Sequence, residues 1–256
     1  MSSDPATRPD WPEGYARRIL PQVDSTNAEA ARIAAEVSGP VWILALRQTD
    51  GRGRRGRRWH DPPGNFAATL LLPLEEPAQR AALRSFVAAL ALFDALAEPS
   101  GRDAALALKW PNDVLLNGGK LAGILLEGLE RGRLAIGFGV NLRAAPAPAA
   151  LGEELGAEAP RPVALLPETG VALTPEELLD ALAPAYARRE AQFAAFGFEP
   201  IREAWLERAA RLGREITARI GGRETSGRFE TVDGQGRLVL STPTGREALA
   251  AAEVFF

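Results

Sequence analysis

Apolar positions along the chain fall into stretches of strand-like and helix-like spacing, each fenced by glycine or proline. Val41-Trp42-Ile43-Leu44-Ala45-Leu46 is a near-continuous apolar run, as expected of a strand covered on both faces. Phe66 to Leu72 reads as the next strand, stopped by Pro73. Over 77–98 the apolar residues Leu83, Phe86, Val87, Leu90 and Phe93 recur at helical spacing, with Pro77 near the start and Gly101 just past the end. An antiparallel meander follows, with strands over 105–110, 114–116, 120–130 and 134–142 and turns at Asn117-Gly118-Gly119 and Arg131-Gly132-Arg133. Upstream, residues 1–20 read as a polar lead-in, and Asp24-Ser25-Thr26-Asn27 opens a helix from Ala28 to about Val37, with Thr26 and Glu29 at capping-box spacing. Downstream, 143–173 is an alanine- and proline-rich surface excursion. Thr174-Pro175 then starts a helix to about Phe196, kinked at Pro184, and Pro200 to Arg211 makes a short helix. From Glu215 the pattern turns to short strands around Asp233-Gly234-Gln235-Gly236. The expected fold is α+β: a mixed, largely antiparallel sheet with helices over 1–212, and a small β module over 213–256 docked on it, being too small to stand comfortably alone.

Composition narrows the chemistry. The net charge of −3 excludes a globally polyanion-binding molecule, so any basic site is local. No cysteine occurs, which removes thiolate metal sites and cysteine nucleophiles and fits a reducing cytoplasm. The single histidine, His60, cannot build a multi-histidine metal site and reads as a loop residue. No apolar run reaches the roughly 18 residues of a membrane span, and the N-terminus lacks a secretory h-region, so no membrane partner is expected.

Two features stand out against that background. Only two lysines occur beside 28 arginines, Lys109 and Lys120, both within Lys109-Trp110-Pro111-Asn112-Asp113-Val114-Leu115-Leu116-Asn117-Gly118-Gly119-Lys120. Lysine is a mobile point charge where arginine is a rigid fork, so a single charge aimed at one oxygen is lysine work. The second feature is Gly51-Arg52-Gly53-Arg54-Arg55-Gly56-Arg57-Arg58-Trp59, with five arginines and three glycines in nine residues. It matches G-x-G-x-x-G formally, but His60-Asp61-Pro62-Pro63-Gly64-Asn65 continues the loop where a dinucleotide site needs a helix. Nor is Asn117 to Leu121 a P-loop, because Val114 replaces its first glycine and Leu121 its Ser/Thr. Glycines let the backbone close on a ligand, arginines clamp phosphate or carboxylate, and Trp59 can cover a planar base. Five like charges repel one another without an anion, so the loop is expected to order around one.

Asp24-Ser25-Thr26-Asn27, the run Gln48 to Trp59, Lys109 to Asp113, Gly119-Lys120-Leu121-Ala122-Gly123-Ile124-Leu125-Leu126-Glu127 and Gly137-Phe138-Gly139-Val140-Asn141-Leu142 occur in this order. Together they resemble the biotin–protein ligases over 24–142. The resemblance implies a class II synthetase-like catalytic domain with an SH3-like C-terminal β-barrel. It implies that ATP activates biotin as biotinyl-5′-AMP, which then passes to a lysine of a biotin carboxyl carrier domain. ATP and Mg²⁺ are the implied cofactors, with the metal held by ATP and no metal ligand assigned to the protein. Lys120 resembles the family's catalytic lysine, aided by Arg54. The biotin site implied is Ser25, Thr26, Asn27, Gln48, Gly51, Arg52, Gly53, Arg54 and Lys120; the ATP site is Arg52, Arg55, Arg57, Trp59, Asn112, Lys120 and Asn141. Beside these roles, Ser25 and Thr26 also read as a helix cap, Asn112 as a turn residue, Trp110 as core, and Lys109 with Asp113 as a structural ion pair. With 23 residues before Asp24, the expectation is a monofunctional ligase that binds no DNA, with monomer and homodimer both open. Two rivals are a lipoate–protein ligase of the same superfamily and an arginine-loop nucleic-acid module, which predicts salt-sensitive oligonucleotide binding without ATP.

Overall fold

The structure, a computed structural model, describes residues 11–100, 106–147, 160–220, 223–250 and 252–255. Twelve strands and six α-helices are described. In chain order they run β1 Ala16–Leu20, α1 Thr26–Ile33, β2 Val41–Ala45, β3 Phe66–Pro73, α2 Ala78–Ala82, α3 Arg84–Ser100, β4 Leu106–Lys109, β5 Asp113–Leu116, β6 Gly119–Leu129, β7 Arg133–Val140, α4 Leu165–Thr169, α5 Pro175–Phe196, α6 Glu199–Leu206, β8 Glu215–Ile220, β9 Arg223–Val232, β10 Leu238–Thr242, β11 Gly245–Leu249 and β12 Glu253–Phe255. The first seven strands form one sheet in the order β1-β2-β3-β7-β6-β5-β4, antiparallel except for β1 against β2. The last five form a second, antiparallel sheet.

The two faces of the large sheet are built from different residues. Along β7, Leu134, Ile136, Phe138 and Val140 join the main core, and so do Phe66, Ala68, Leu70 and Leu72 of β3 and Trp42 and Leu44 of β2. On this side α3 and α5 cover the sheet, and Trp42 meets Phe138 and Tyr186 at ring-centroid distances of 5.4 and 6.0 Å. The intervening residues face the other way, because strand side chains alternate. There Ile43, Leu71 and Ala135 pack on Ala30 and Ile33 of α1. Further along β3 and β7, and on the adjoining β6, that second face carries Thr69, Gly137, Gly139 and Gly123, which are small enough to leave room above the sheet.

The main core continues into the small sheet through Phe229, Val232, Leu238 and Leu240. Trp110 donates its indole N–H to the Gly236 carbonyl at 3.0 Å, and Arg202 reaches the Val232 carbonyl at 3.0 Å. Beyond α6, residues 208–210 bond to Leu108 at 2.8 Å on both sides and cover the outer edge of β4.

Several sequence expectations are corrected. Residues 16–20 are a strand and not part of a lead-in. Their mostly exposed side chains carry no apolar alternation, and parallel pairing with β2 holds them. Helix α1 starts at Thr26, and its N-cap Ser25 makes no side-chain cap bond, so the expected Thr26–Glu29 capping box is absent. The Thr26 amide donates instead to Gln48 Oε1 at 2.9 Å. The helix expected over 77–98 is divided at Leu83 into α2 and α3. Thr174 and Glu177 do form a capping box, and α5 runs through Pro184. Part of the expected excursion lies outside the described residues, but 165–169 is helix α4. The short helix expected to reach Arg211 ends at Leu206.

Candidate functional site

Two polar clusters stand on the small-residue face, and Trp59 lies between them. The first is buried. Ser25, Thr26 and Asn27 are at most 5% exposed. Gln48 Oε1 accepts from the Thr26 amide at 2.9 Å and from its hydroxyl at 3.2 Å. Thr69 Oγ1 lies 2.8 Å from Thr26 Oγ1 and donates to Asn27 Oδ1 at 2.6 Å, while Asn27 Nδ2 donates to Glu127 Oε2 at 2.6 Å. A helix start, the end of β2 and two central strands thereby converge, leaving the Gln48 side-chain N–H groups as donors. A Cβ at Gly137 would overlap Asn27, so the close approach needs glycine there.

The second cluster holds the cations. Lys120 Nζ is 2.8 Å from Asp113 Oδ1 and 6.0 Å from the centre of the Trp59 ring. Arg54 donates to Asn112 Oδ1 at 3.2 Å. Asn112 in turn donates its amide to the Ile124 carbonyl, and Ile124 N–H returns to Asn112 O at 2.9 Å. Lys109 and Asp113 face each other in the β4–β5 ladder, and the Asp113 carboxylate bonds to Lys120. The Lys120 backbone is gripped from outside the sheet: its N–H donates to Arg161 O at 2.8 Å, and its C=O accepts from Val163 N–H at 2.9 Å.

The arginine–glycine loop is a closed hairpin. Gly53 N–H bonds Arg57 O at 2.7 Å and Trp59 N–H bonds Gly51 O at 2.8 Å, around a turn with Arg55 at φ 59° and Gly56 at φ 75°. Arg52, Arg55, Arg57 and Arg58 are on its exposed rim. Trp59 rests against Gly123 and Gly139, which pair across β6 and β7; a Cβ at Gly139 would overlap the indole, and one at Gly123 would stand 3.3 Å from it. A cleft of about 260 Å³ opens between Gln48, Gly51, Arg58, Trp59, Asp61 and Pro146. Asn141, at the end of β7, is 2% exposed, donating to Val163 O at 3.0 Å and accepting from Asn65 at 3.4 Å.

Asp61 is a feature the sequence reading passed over. Its Oδ2 accepts from the Gln48 amide at 3.2 Å, while Oδ1 is buried with no partner. Burial pushes this carboxyl up to about 6, against a partial counter-effect from the Gln48 bond. Thr69, Glu127 and Val163 were missed too. Thr69 had a signal, as the one hydroxyl inside the apolar run 66–72, but Val163 sits in a stretch whose pattern says nothing of Lys120. Among the described residues no group of three or more acidic or histidine side chains could hold a metal ion. None of the described helices is long and apolar enough to cross a membrane.

A helix start, a cation-bearing glycine loop and a lysine gathered on one sheet face define a family. Residues 19–141 match the biotin/lipoate A/B protein ligase family and residues 212–256 the biotin protein ligase C-terminal domain, and the chain belongs to that family. A biotin–[acetyl-CoA-carboxylase] ligase of Paracoccus denitrificans is 55% identical over 93% of this chain and 99% of its own length. One of the same name from Mycobacterium tuberculosis is 32% identical over 92% of this chain and 87% of its own length. In structure the chain is similar to the biotin protein ligase of Aquifex aeolicus solved with biotin and ATP, with a TM-score of 0.80, 26% identity, and 93% and 97% of the two chains covered.

Proposed function

We propose that this protein is a biotin–protein ligase that uses ATP to activate biotin and modifies a carrier lysine of acetyl-CoA carboxylase. The observation that carries the reading is the 55% identity with a ligase of that name over nearly the whole of both chains. In the first step a carboxylate oxygen of biotin bonds to the α-phosphorus of ATP, the α–β bridging bond breaks, and pyrophosphate leaves. In the second the carrier ε-amine attacks the acyl carbon of biotinyl-5′-AMP, an amide forms, and AMP leaves.

Both steps concentrate negative charge at phosphate, so fixed cations contribute more than a strong base would. In this reading Lys120 stands where carboxylate and α-phosphate meet. Arg54, Arg52 and the Gly51–Gly53 backbone hold the acyl-phosphate, Arg55 and Arg57 reach the outer phosphates, and Trp59 walls the site beside the base. Ser25, Thr26, Asn27 and Gln48 serve the ureido head of biotin, which their buried, polar, converging geometry suits. Asn112 and Asn141 border the nucleotide. Mg²⁺ would enter with the nucleotide as counter-ion to its phosphates.

The test is exchange of labelled pyrophosphate into ATP. Biotin should stimulate it and lipoate should not; exchange driven by lipoate, or none with either acid, would overturn the reading.

A further inference from the structure

Two adjacent residues, Asn112 at the end of a turn and Asp113 at the start of β5, hold the two cations to which the reaction is assigned: Asn112 bonds Arg54 at 3.2 Å, and Asp113 bonds Lys120 at 2.8 Å. The turn is itself fixed, by the exchanged bonds between Asn112 and Ile124 and by the Trp110 indole on Gly236. Asp113 is the better shielded of its pair, with 14% of its side chain exposed against 33% for Lys120. A flexible four-carbon stem ending in a point charge has many rotamers, and a shielded carboxylate on a rigid strand selects one of them. That same carboxylate, however, puts a negative charge beside the place where phosphates must bind.

We propose that Asp113 is a positioning residue for Lys120: it aims the ammonium at the reacting phosphate and in return weakens binding of the nucleotide. This rests on the role given to Lys120 in the proposed function. The trade-off has a signature that an ordinary structural role lacks, because the chemical step and nucleotide affinity move in opposite senses. Asp113→Asn keeps the side-chain shape and removes the charge. It should lower kcat for biotin-dependent pyrophosphate exchange about 10- to 100-fold through loss of a fixed donor. It should lower the KM for ATP about 3- to 10-fold, because one repulsive charge near the phosphates is gone. Asp113→Glu, which retains the charge, should recover part of kcat and the original KM.

The measurement is exchange kinetics on the full chain for Asp113→Asn, Asp113→Glu, Lys120→Met and the double variant Asp113→Asn/Lys120→Met, with ATP affinity by calorimetry for each. In the Lys120→Met background the added Asp113→Asn should cause no further loss of rate, because its effect passes through the lysine. A raised KM for ATP in Asp113→Asn would mark direct nucleotide or metal binding and overturn the proposal, as would a full additional loss in the double variant. Near-normal turnover of Lys120→Met would instead overturn the role of Lys120 itself, which separates the two failures.

Discussion

Asp61 shows how one side chain can set a pH dependence. Its carboxyl is raised from 3.8 to about 6 because burial disfavours the ionised form. Between those values the folded protein binds more protons than the unfolded chain, so this residue's contribution to stability grows as pH falls through 6 towards 3.8. Above 6 the ionised, half-partnered carboxylate costs about 2–3 kcal/mol. Asp61→Asn keeps an acceptor for the Gln48 amide and removes the charge. Its melting temperature relative to the parent should therefore be higher at pH 7.5 than at pH 5, by several degrees. A difference independent of pH would show that the carboxylate is ionised throughout that range.

Among the elements, the loop over 51–59 sets five arginines on a hairpin of its own. Its hairpin bonds are internal, and the Arg54–Asn112 bond ties it to the strands carrying Lys120. A mixed anhydride hydrolyses when water reaches it, so a loop folded over the adenylate protects the intermediate and slows its escape. Arg54→Gly removes the tie and loosens the backbone. The variant should release activated biotin and label lysines of bystander proteins, seen as streptavidin-reactive bands beyond the carrier; labelling confined to the carrier would speak against a sealing role.

The same elements mark the reach of sequence reasoning. The loop, the lysine stretch and the meander were legible because glycine, charge and period-2 spacing act within a few residues of one another. The α1 cap was not, since the acceptor for Thr26 is Gln48, 22 positions away. Nor was the grip of residues 161–163 on Lys120, because a chain lying alongside a strand through backbone bonds leaves no trace in its side chains. Strand β1 escaped notice for a related reason: an exposed edge has no hydrophobic face to reveal it.

At the level of the whole molecule, the C-terminal sheet is continuous with the main core and is attached through the Gly236 turn. Gly236 adopts φ 77°, and a Cβ there would stand 2.9 Å from Phe86, whose ring packs edge-on against Phe198 and Trp205 at centroid distances of 5.1 and 5.3 Å. Gly236→Ala combines a left-handed backbone penalty with overpacking, together about 2–4 kcal/mol. The melting temperature should fall by roughly 5–15 °C, in a single transition because the core is shared. Two resolved transitions would show that the sheets unfold separately.

The division of β7 into alternate residues that fill the interior and residues that clear ground for ligands has an evolutionary corollary. Removing or adding one position in that strand would swap the two sets, sending phenylalanine and isoleucine outward and glycines inward, and folding and activity would be lost together. Family members can therefore drift in loop length and surface charge, while indels within this strand should be purged. Changes of acid preference must arise by exchanging single residues around a platform whose phase is frozen.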